Sequence, residues 1–209
     1  MDRKSVTQIV TDLAASQRGF LTAAQAREAG VDKLSLSRLC ASGVVERVAH
    51  GVYRASGAPG FREEALYAAW LGLLPASPAY TRPKDGSDFV VSHATAAWLH
   101  GLGEVNPEPL TFTHPNRRQT RKGGLRFVRA GIGPQEVTTL GGMPVTTMER
   151  TIIDLLAEGE DPSLLSAVLH DALSAEPGLH SAAFAARVDR YAKSYGYIDG
   201  SSLYERLRK

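Results

Sequence analysis

Glycine spacing in the first quarter of the chain most constrains what it can fold into. Gly19, Gly30 and Gly43 each close a short run of helical character, and Gly51 sits between two β-rich runs. From Ser5 to Gln17 the apolar residues Val6, Ile9, Val10 and Leu13 fall at helical spacing, which predicts a first helix. Phe20-Leu21 reads as a short extended piece. Thr22 is the N-cap of a second helix over Ala23–Ala29, and Gly30 takes its C′ position. Asp32 caps a third helix, Lys33 to Ser42, which Gly43 stops. Val44 to Arg54 then gives two β-rich runs around Gly51, a hairpin.

Helix, helix, turn, helix, hairpin is the order of a winged helix-turn-helix, and in that motif the third helix enters the major groove. Leu36, Leu39 and Cys40 cluster on one side of this helix and are expected in the core. Lys33, Ser35, Ser37 and Arg38 occupy the rest of the circumference and are the expected base- and phosphate-contacting residues, with Arg38 suited to fork onto a guanine. Leu34 also falls off the core face. The hairpin brings Arg47, His50 and Arg54 toward a neighbouring stretch of DNA backbone. The same pattern also fits a plain protein-interaction module, so it leaves both readings open.

Composition narrows the field. The 209 residues carry 24 Lys+Arg against 22 Asp+Glu, a net charge of +2, which excludes a polybasic nucleic-acid coat protein. Arginine outnumbers lysine, which codon bias alone explains. One cysteine, Cys40, excludes an intrachain disulfide and a thiolate metal site and fits a reducing compartment. No apolar run approaches the roughly 18 residues of a membrane helix. The N-terminus carries no signal-peptide core. A cytoplasmic protein without membrane partners is expected. Residues 1–130 carry a surplus of positive charge and residues 131–209 a surplus of negative charge, an asymmetry that points to different partners. The uncharged stretch Ala55-Ser56-Gly57-Ala58-Pro59-Gly60 reads as a linker. The predicted organisation is therefore 1–55 winged helix-turn-helix, 56–60 linker and 61–209 a second, α/β domain, an α+β chain as a whole.

In the second domain the pattern predicts a buried helix over Phe61–Leu74 and a strand over Phe89–Val91. A helix capped by Ser92 runs to Leu102 and stops at Gly103. Leu110–Thr113 and Leu125–Arg129 alternate like half-buried strands, and Val137–Leu140 is another. Thr146 and Glu149 read as a capping box opening a helix over Thr147–Ala157. Helices follow from Asp161-Pro162 to about Ser174, from Ser181 to Tyr195 and from Gly200 to Arg208.

No catalytic constellation stands up. His93 and His100 lie two turns apart on one helix, but no carboxylate or cysteine sits at ligand spacing, so core or capping roles are expected. Ser92 lacks a nucleophile elbow, and Gly131-Ile132-Gly133-Pro134 lacks the lysine and spacing of a phosphate loop. A restriction-nuclease-like continuation needs clustered acids and a lysine on adjacent strands. Past residue 158 only Lys193 and Lys209 are present, and neither follows an acid at strand spacing. A non-enzymatic protein without metal or cofactor is expected. The densest charge feature runs from Arg117 to Arg129, with six basic residues and no acid in thirteen. Arg117, Arg118, Arg121 and Lys122 read as the tip of a hairpin that contacts DNA phosphates or acidic groups on a protein partner.

Three stretches carry a family resemblance. Gly19 to Ala55, "GFLTAAQAREAGVDKLSLSRLCASGVVERVAHGVYRA", resembles the N-terminal winged-helix domain of AbiEi-family, MenA-like antitoxins. "VVSHATAAWLHGL" at Val90–Leu102 and "GGMPVTTMERTIIDLLA" at Gly141–Ala157 match the same family in the expected order. The resemblance implies an antitoxin of a toxin–antitoxin system whose partner is a nucleotidyltransferase-like toxin. It implies a winged helix that binds repeats in double-stranded promoter DNA and represses its own operon, and a C-terminal domain that counters the toxin directly or indirectly. Repeated half-sites are commonly matched by dimers, so a dimer on DNA is expected. A winged-helix regulator whose second domain senses a ligand or partner, with no toxin, is the alternative.

Overall fold

The computed structural model describes residues 5–120, 123–179 and 182–209, and its contacts divide the chain into two compact units. The first comprises residues up to Arg82 with Gly141–Met143; the second comprises Pro83–Leu140 and Pro144–Lys209. The expected 1–55 domain lies within the first unit, which the contacts extend past the 56–60 stretch. No helix among the described residues is long and apolar enough to cross a membrane.

The first unit follows the glycine punctuation. Its elements are α1 (Val6–Ala15), β1 (Phe20–Thr22), α2 (Ala23–Glu28), α3 (Lys33–Ala41), β2 (Val45–Ala49), β3 (Val52–Ala55) and α4 (Glu64–Leu73). Each of the first three helices has the cap its sequence offers. Ser5 accepts from Gln8 N–H, Thr22 forms a capping box with Gln25, and Asp32 accepts from Ser35 N–H. The strands form an antiparallel sheet in the order β1-β3-β2. Val10, Leu21, Val31, Leu36 and Val45 build the core beneath α1–α3. Cys40 is only half-buried, packed at the edge of that core.

α4 closes the other side of the small sheet. Leu66, Tyr67, Trp70 and Leu71 are buried, and Phe20 meets Phe61 and Tyr67 edge-to-face at 5.7 and 5.4 Å. Arg18, in the left-handed region at φ +56°, lays its guanidinium 3.6 Å from the Phe61 ring and donates to Glu63 at 3.0 Å and to the Gly141 carbonyl at 2.7 Å. Gly19 is required beside it, because a Cβ there would lie 2.3 Å from Ala58 Cβ. At the centre of the unit the buried amides of Gln17 and Gln25 bond reciprocally, at 2.9 and 3.1 Å. Gln17 Oε1 also accepts from Ala79 N–H at 2.9 Å, and Gln25 Nε2 donates to the Ser77 carbonyl at 3.1 Å.

The second unit contains β4 (Val90–Val91), α5 (His93–His100), β5 (Leu110–His114), β6 (Leu125–Arg129), β7 (Val137–Leu140), β8 (Met143–Thr146), α6 (Met148–Glu158), α7 (Pro162–Ala175), α8 (Ala182–Ala192) and α9 (Gly200–Leu207). The sheet order is β6-β5-β4-β8-β7. Ile152, Leu155, Leu165, Leu169, Val188 and Leu203 join α6–α9 into one apolar core.

Four local expectations are corrected here. β5 and β6 pair in parallel, Leu110 opposite Leu125 and His114 opposite Arg129. The connection between the two strands is thus not a hairpin tip. α5 ends at His100, because Gly101 takes the left-handed C-cap at φ +76° two residues before the predicted stop. Thr147, not Thr146, caps α6 by accepting from Arg150 N–H, while Thr146 belongs to β8. β8 itself was not predicted. Gly141 and Gly142, both at positive φ, turn the chain from β7 into it.

The Gln17–Gln25 pair gives a direct stability test. Gln25→Leu keeps the volume but strips partners from the Gln17 amide, the Thr22 N–H and the Ser77 carbonyl. The expected loss is about 1–3 kcal/mol, read as a lower denaturant midpoint at unchanged slope. A midpoint within error of the parent contradicts the assignment.

Candidate nucleic-acid interface

The turn before α3 fixes which face the helix shows to solvent. Gly30 adopts φ +86°, and Val31 N–H donates to the Ala26 carbonyl at 2.8 Å, so the chain reverses within a few residues and Val31 tucks into the core. Asp32 then starts α3. Its carboxylate accepts from Ser35 N–H at 2.8 Å and from Ser35 Oγ at 3.2 Å. These bonds, the backbone one foremost, hold its carboxyl below the usual carboxylate range.

With Leu36 and Leu39 buried, Lys33, Leu34, Ser37 and Arg38 stand exposed on the opposite side, Leu34 at 60%. Ser35 is half-buried, its hydroxyl engaged by the cap. In the β2–β3 hairpin a register shift between Arg47 and Ala49 bends the strand. Arg47, Val48 and His50 are exposed there, with Arg47 Nη2 3.1 Å from His50 Nδ1. Arg54 faces the other way. Its guanidinium meets Glu46 at 2.9 Å, Glu64 at 3.3 Å and the Ala58 carbonyl at 2.6 Å, with 13% of the side chain exposed. It is consumed in holding the segment after β3. Its alternating position in the strand gave no sign of this.

In the second unit Arg117 and Arg118 are exposed. Arg121 and Lys122 lie outside the described residues. Arg118 sits 3.5 Å from His114 Nε2 and 5.7 Å from the Phe89 ring.

Sequence spacing did not reveal the polar centre of this unit. Arg150 donates to Asp154 at 2.8 Å and to Glu136 at 2.9 Å, and Arg187 pairs with Glu136 at 2.7 Å and with Glu149 at 3.0 Å. Only the Arg150–Asp154 spacing of four residues was readable in advance; Glu136 and Arg187 reach it from distant elements. Burial alone would raise Glu136, but the Gly133 N–H and the two guanidiniums outweigh it and hold the carboxyl below its ordinary range. Burial pushes Asp154 up despite its bond to Arg150.

His93 opens α5 with φ +57°, unusual for a side chain of its size. Its Nδ1 lies 2.9 Å from Ser92 Oγ, which also accepts from Thr113 Oγ1 at 2.8 Å. Ser92 therefore occupies the N-cap position without making a side-chain cap. His100 Nε2 meets the Thr146 carbonyl at 2.7 Å, so the two histidines serve separate polar contacts.

Residues 8–56 match a family model described as "Transcriptional regulator, AbiEi antitoxin", and residues 89–190 match one described as "AbiEi antitoxin C-terminal domain". No curated protein matches the chain. Among solved structures, "Crystal structure of RV2827C protein from Mycobacterium tuberculosis" is similar, at 15% identity and a TM-score of 0.48. The match covers 100% of this chain and 84% of that one.

Burial holds both His93 and His100 below the ordinary histidine value of 6.5. Folding thus favours their neutral forms. Their contribution to stability is complete above the unfolded value and is lost as pH falls from there through the lowered folded values. Histidine ring resonances followed by NMR should show both titrating below 6.5. A titration above that value for His93 would mean that the neighbouring carboxylates, not burial, control the ring.

Proposed function

We propose that this chain, whose two parts each match an AbiEi antitoxin family model, is an antitoxin that represses its own operon by binding repeats in the promoter and counters a nucleotidyltransferase-like toxin encoded with it. The observation that carries the DNA-binding half is the geometry of α3. A short glycine turn and two buried leucines aim Lys33, Ser37 and Arg38 outward, and Arg47 and His50 are exposed on the adjoining hairpin. This is the residue set a winged helix-turn-helix presents to a major groove and a neighbouring backbone. In this reading residues 1–55 are the winged helix and two copies sit on paired half-sites. Lys33 and Arg47 hold phosphate, Arg38 reads a guanine edge, and Ser35 supports the helix start. Arg54 stays in its ion pairs and leaves the DNA to its neighbours.

The antidote role belongs to the second unit, which the C-terminal family model covers. Arg117 and Arg118, with Arg121 and Lys122 next in the sequence, contact DNA phosphates or the toxin.

The two roles separate by mutation. A Lys33→Ala/Arg38→Ala variant should lose repression of a promoter reporter while still protecting cells from the co-encoded toxin when supplied in trans. Arg38→Ala alone should cost about 1–3 kcal/mol of operator affinity and relax preference at one base position. Retained repression by the folded double variant removes α3 from the DNA interface. Loss of protection with the fold intact shows that the two roles share a surface.

A further inference from the structure

A pocket of about 350 Å³ opens between α6 and α8 in the second unit, within the roughly 300–1,000 Å³ usual for small-molecule sites. Apolar Val128, Ile153 and Ala157 line it together with Tyr191, the guanidiniums of Arg150, Arg187 and Arg190, and the carboxylate of Glu136. Arg150 and Arg187 are engaged with carboxylates. Arg190 is not: among the described residues it pairs with no carboxylate, and its guanidinium rests 4.8 Å from the Tyr191 ring. Arg187 and Arg190 lie one turn apart on α8, so their forks converge on the same rim.

A second, independent observation sits in the wall. Asp154 is 8% exposed at its side chain and lines the pocket, and its Oδ2 is buried with no hydrogen-bond partner. Arg150 bonds only the other oxygen, Oδ1, and His93 Nδ1 stands 3.9 Å from Oδ2, beyond hydrogen-bond reach. His93 also lines the pocket and is held in the left-handed region. Such strain persists where the surroundings over-determine it and clusters at binding sites. The pocket thus combines an uncompensated arginine with an acceptor that wants a donor.

We propose that this pocket binds a small phosphomonoester on a hydroxylated body, a sugar phosphate or a nucleotide. The phosphate lies against Arg190, whose guanidinium no carboxylate holds, and Arg187, paired with Glu136 and Glu149, adds its remaining donors on the same rim; a phosphate presents three terminal oxygens to them. Tyr191 and the apolar wall cover the body. A hydroxyl donates toward Asp154 once the His93 ring gives way. The site is independent of the DNA-binding reading: no residue of α3 or the β2–β3 hairpin takes part.

Titration calorimetry on the full chain tests this with four probes: inorganic phosphate, ribose, ribose 5-phosphate and AMP. Ribose 5-phosphate or AMP should bind saturably at about 1 mM or tighter, and ribose and inorganic phosphate more weakly. Binding by AMP alone identifies the occupant as a nucleotide, and equal binding of both identifies the sugar phosphate as the recognised part. Arg190→Ala should weaken binding by about tenfold or more while leaving the unliganded Tm unchanged, since that side chain carries no ion pair. Ala157→Phe, which fills the pocket from an exposed wall position, should abolish binding in a folded protein. The proposal is overturned if neither phosphomonoester gives saturable heat, if inorganic phosphate binds as tightly as ribose 5-phosphate, or if both variants bind like the parent.

Discussion

The side-chain amides of Gln17 and Gln25 fill each other's hydrogen-bonding capacity in the interior of the first unit, and the exposed face of α3 depends on that pair. Gln17 lies in the turn just after α1, and Gln25 lies in the first turn of α2 as the capping-box partner of Thr22. Their reciprocal bonds fix the angle between the two helices, and the outer bonds to Ser77 and Ala79 bind the segment after α4 to the same point. A buried amide tolerates few arrangements, because every unmade bond costs about 1–3 kcal/mol. An apolar contact in the same place would hold the helices together but would fix their orientation less sharply. With α1 and α2 fixed, the Gly30 turn leaves α3 a single way to lie, Leu36 and Leu39 inward and Arg38 outward.

Local signals made much of this unit legible in advance. Ser5, Thr22 and Asp32 are caps whose chemistry is written at single positions, and Gly30 and Gly43, both at positive φ, follow the ends of α2 and α3. The outward face of α3 followed from the spacing of two leucines. The glutamine pair was not legible, because its meaning depends on residues 77–79 folding back onto it. Arg54 was misleading for the same reason: the strand pattern placed it beside Arg47, and only the path of the chain through Ala58 and Glu64 shows that it is occupied.

The second unit was harder to read because its information is long-range. Two alternating runs separated by a basic loop look alike whether the strands pair antiparallel or parallel. The parallel pairing of β5 with β6 is set by the sheet as a whole. β8 was obscured by Pro144, a poor strand residue, although the Gly141-Gly142 turn carried a hairpin signal. The polar centre joins Glu136, Arg150 and Arg187 from three separate elements, so no spacing rule links them. Helix positions, by contrast, were recovered closely for α7 and α9, where Asp161 and Asp199 make the caps their residue types suggest.

The central claim is that α3 and the β2–β3 hairpin form the surface that meets DNA. Amide NMR spectra of the full chain, recorded while its own promoter duplex is added, test this most directly. The account predicts that the largest shifts fall on residues 33–38 and 47–50, with far smaller ones when a scrambled duplex of equal length replaces the promoter at the same salt concentration. Shifts confined to the second unit, with α3 and the hairpin unmoved at saturation, would contradict it.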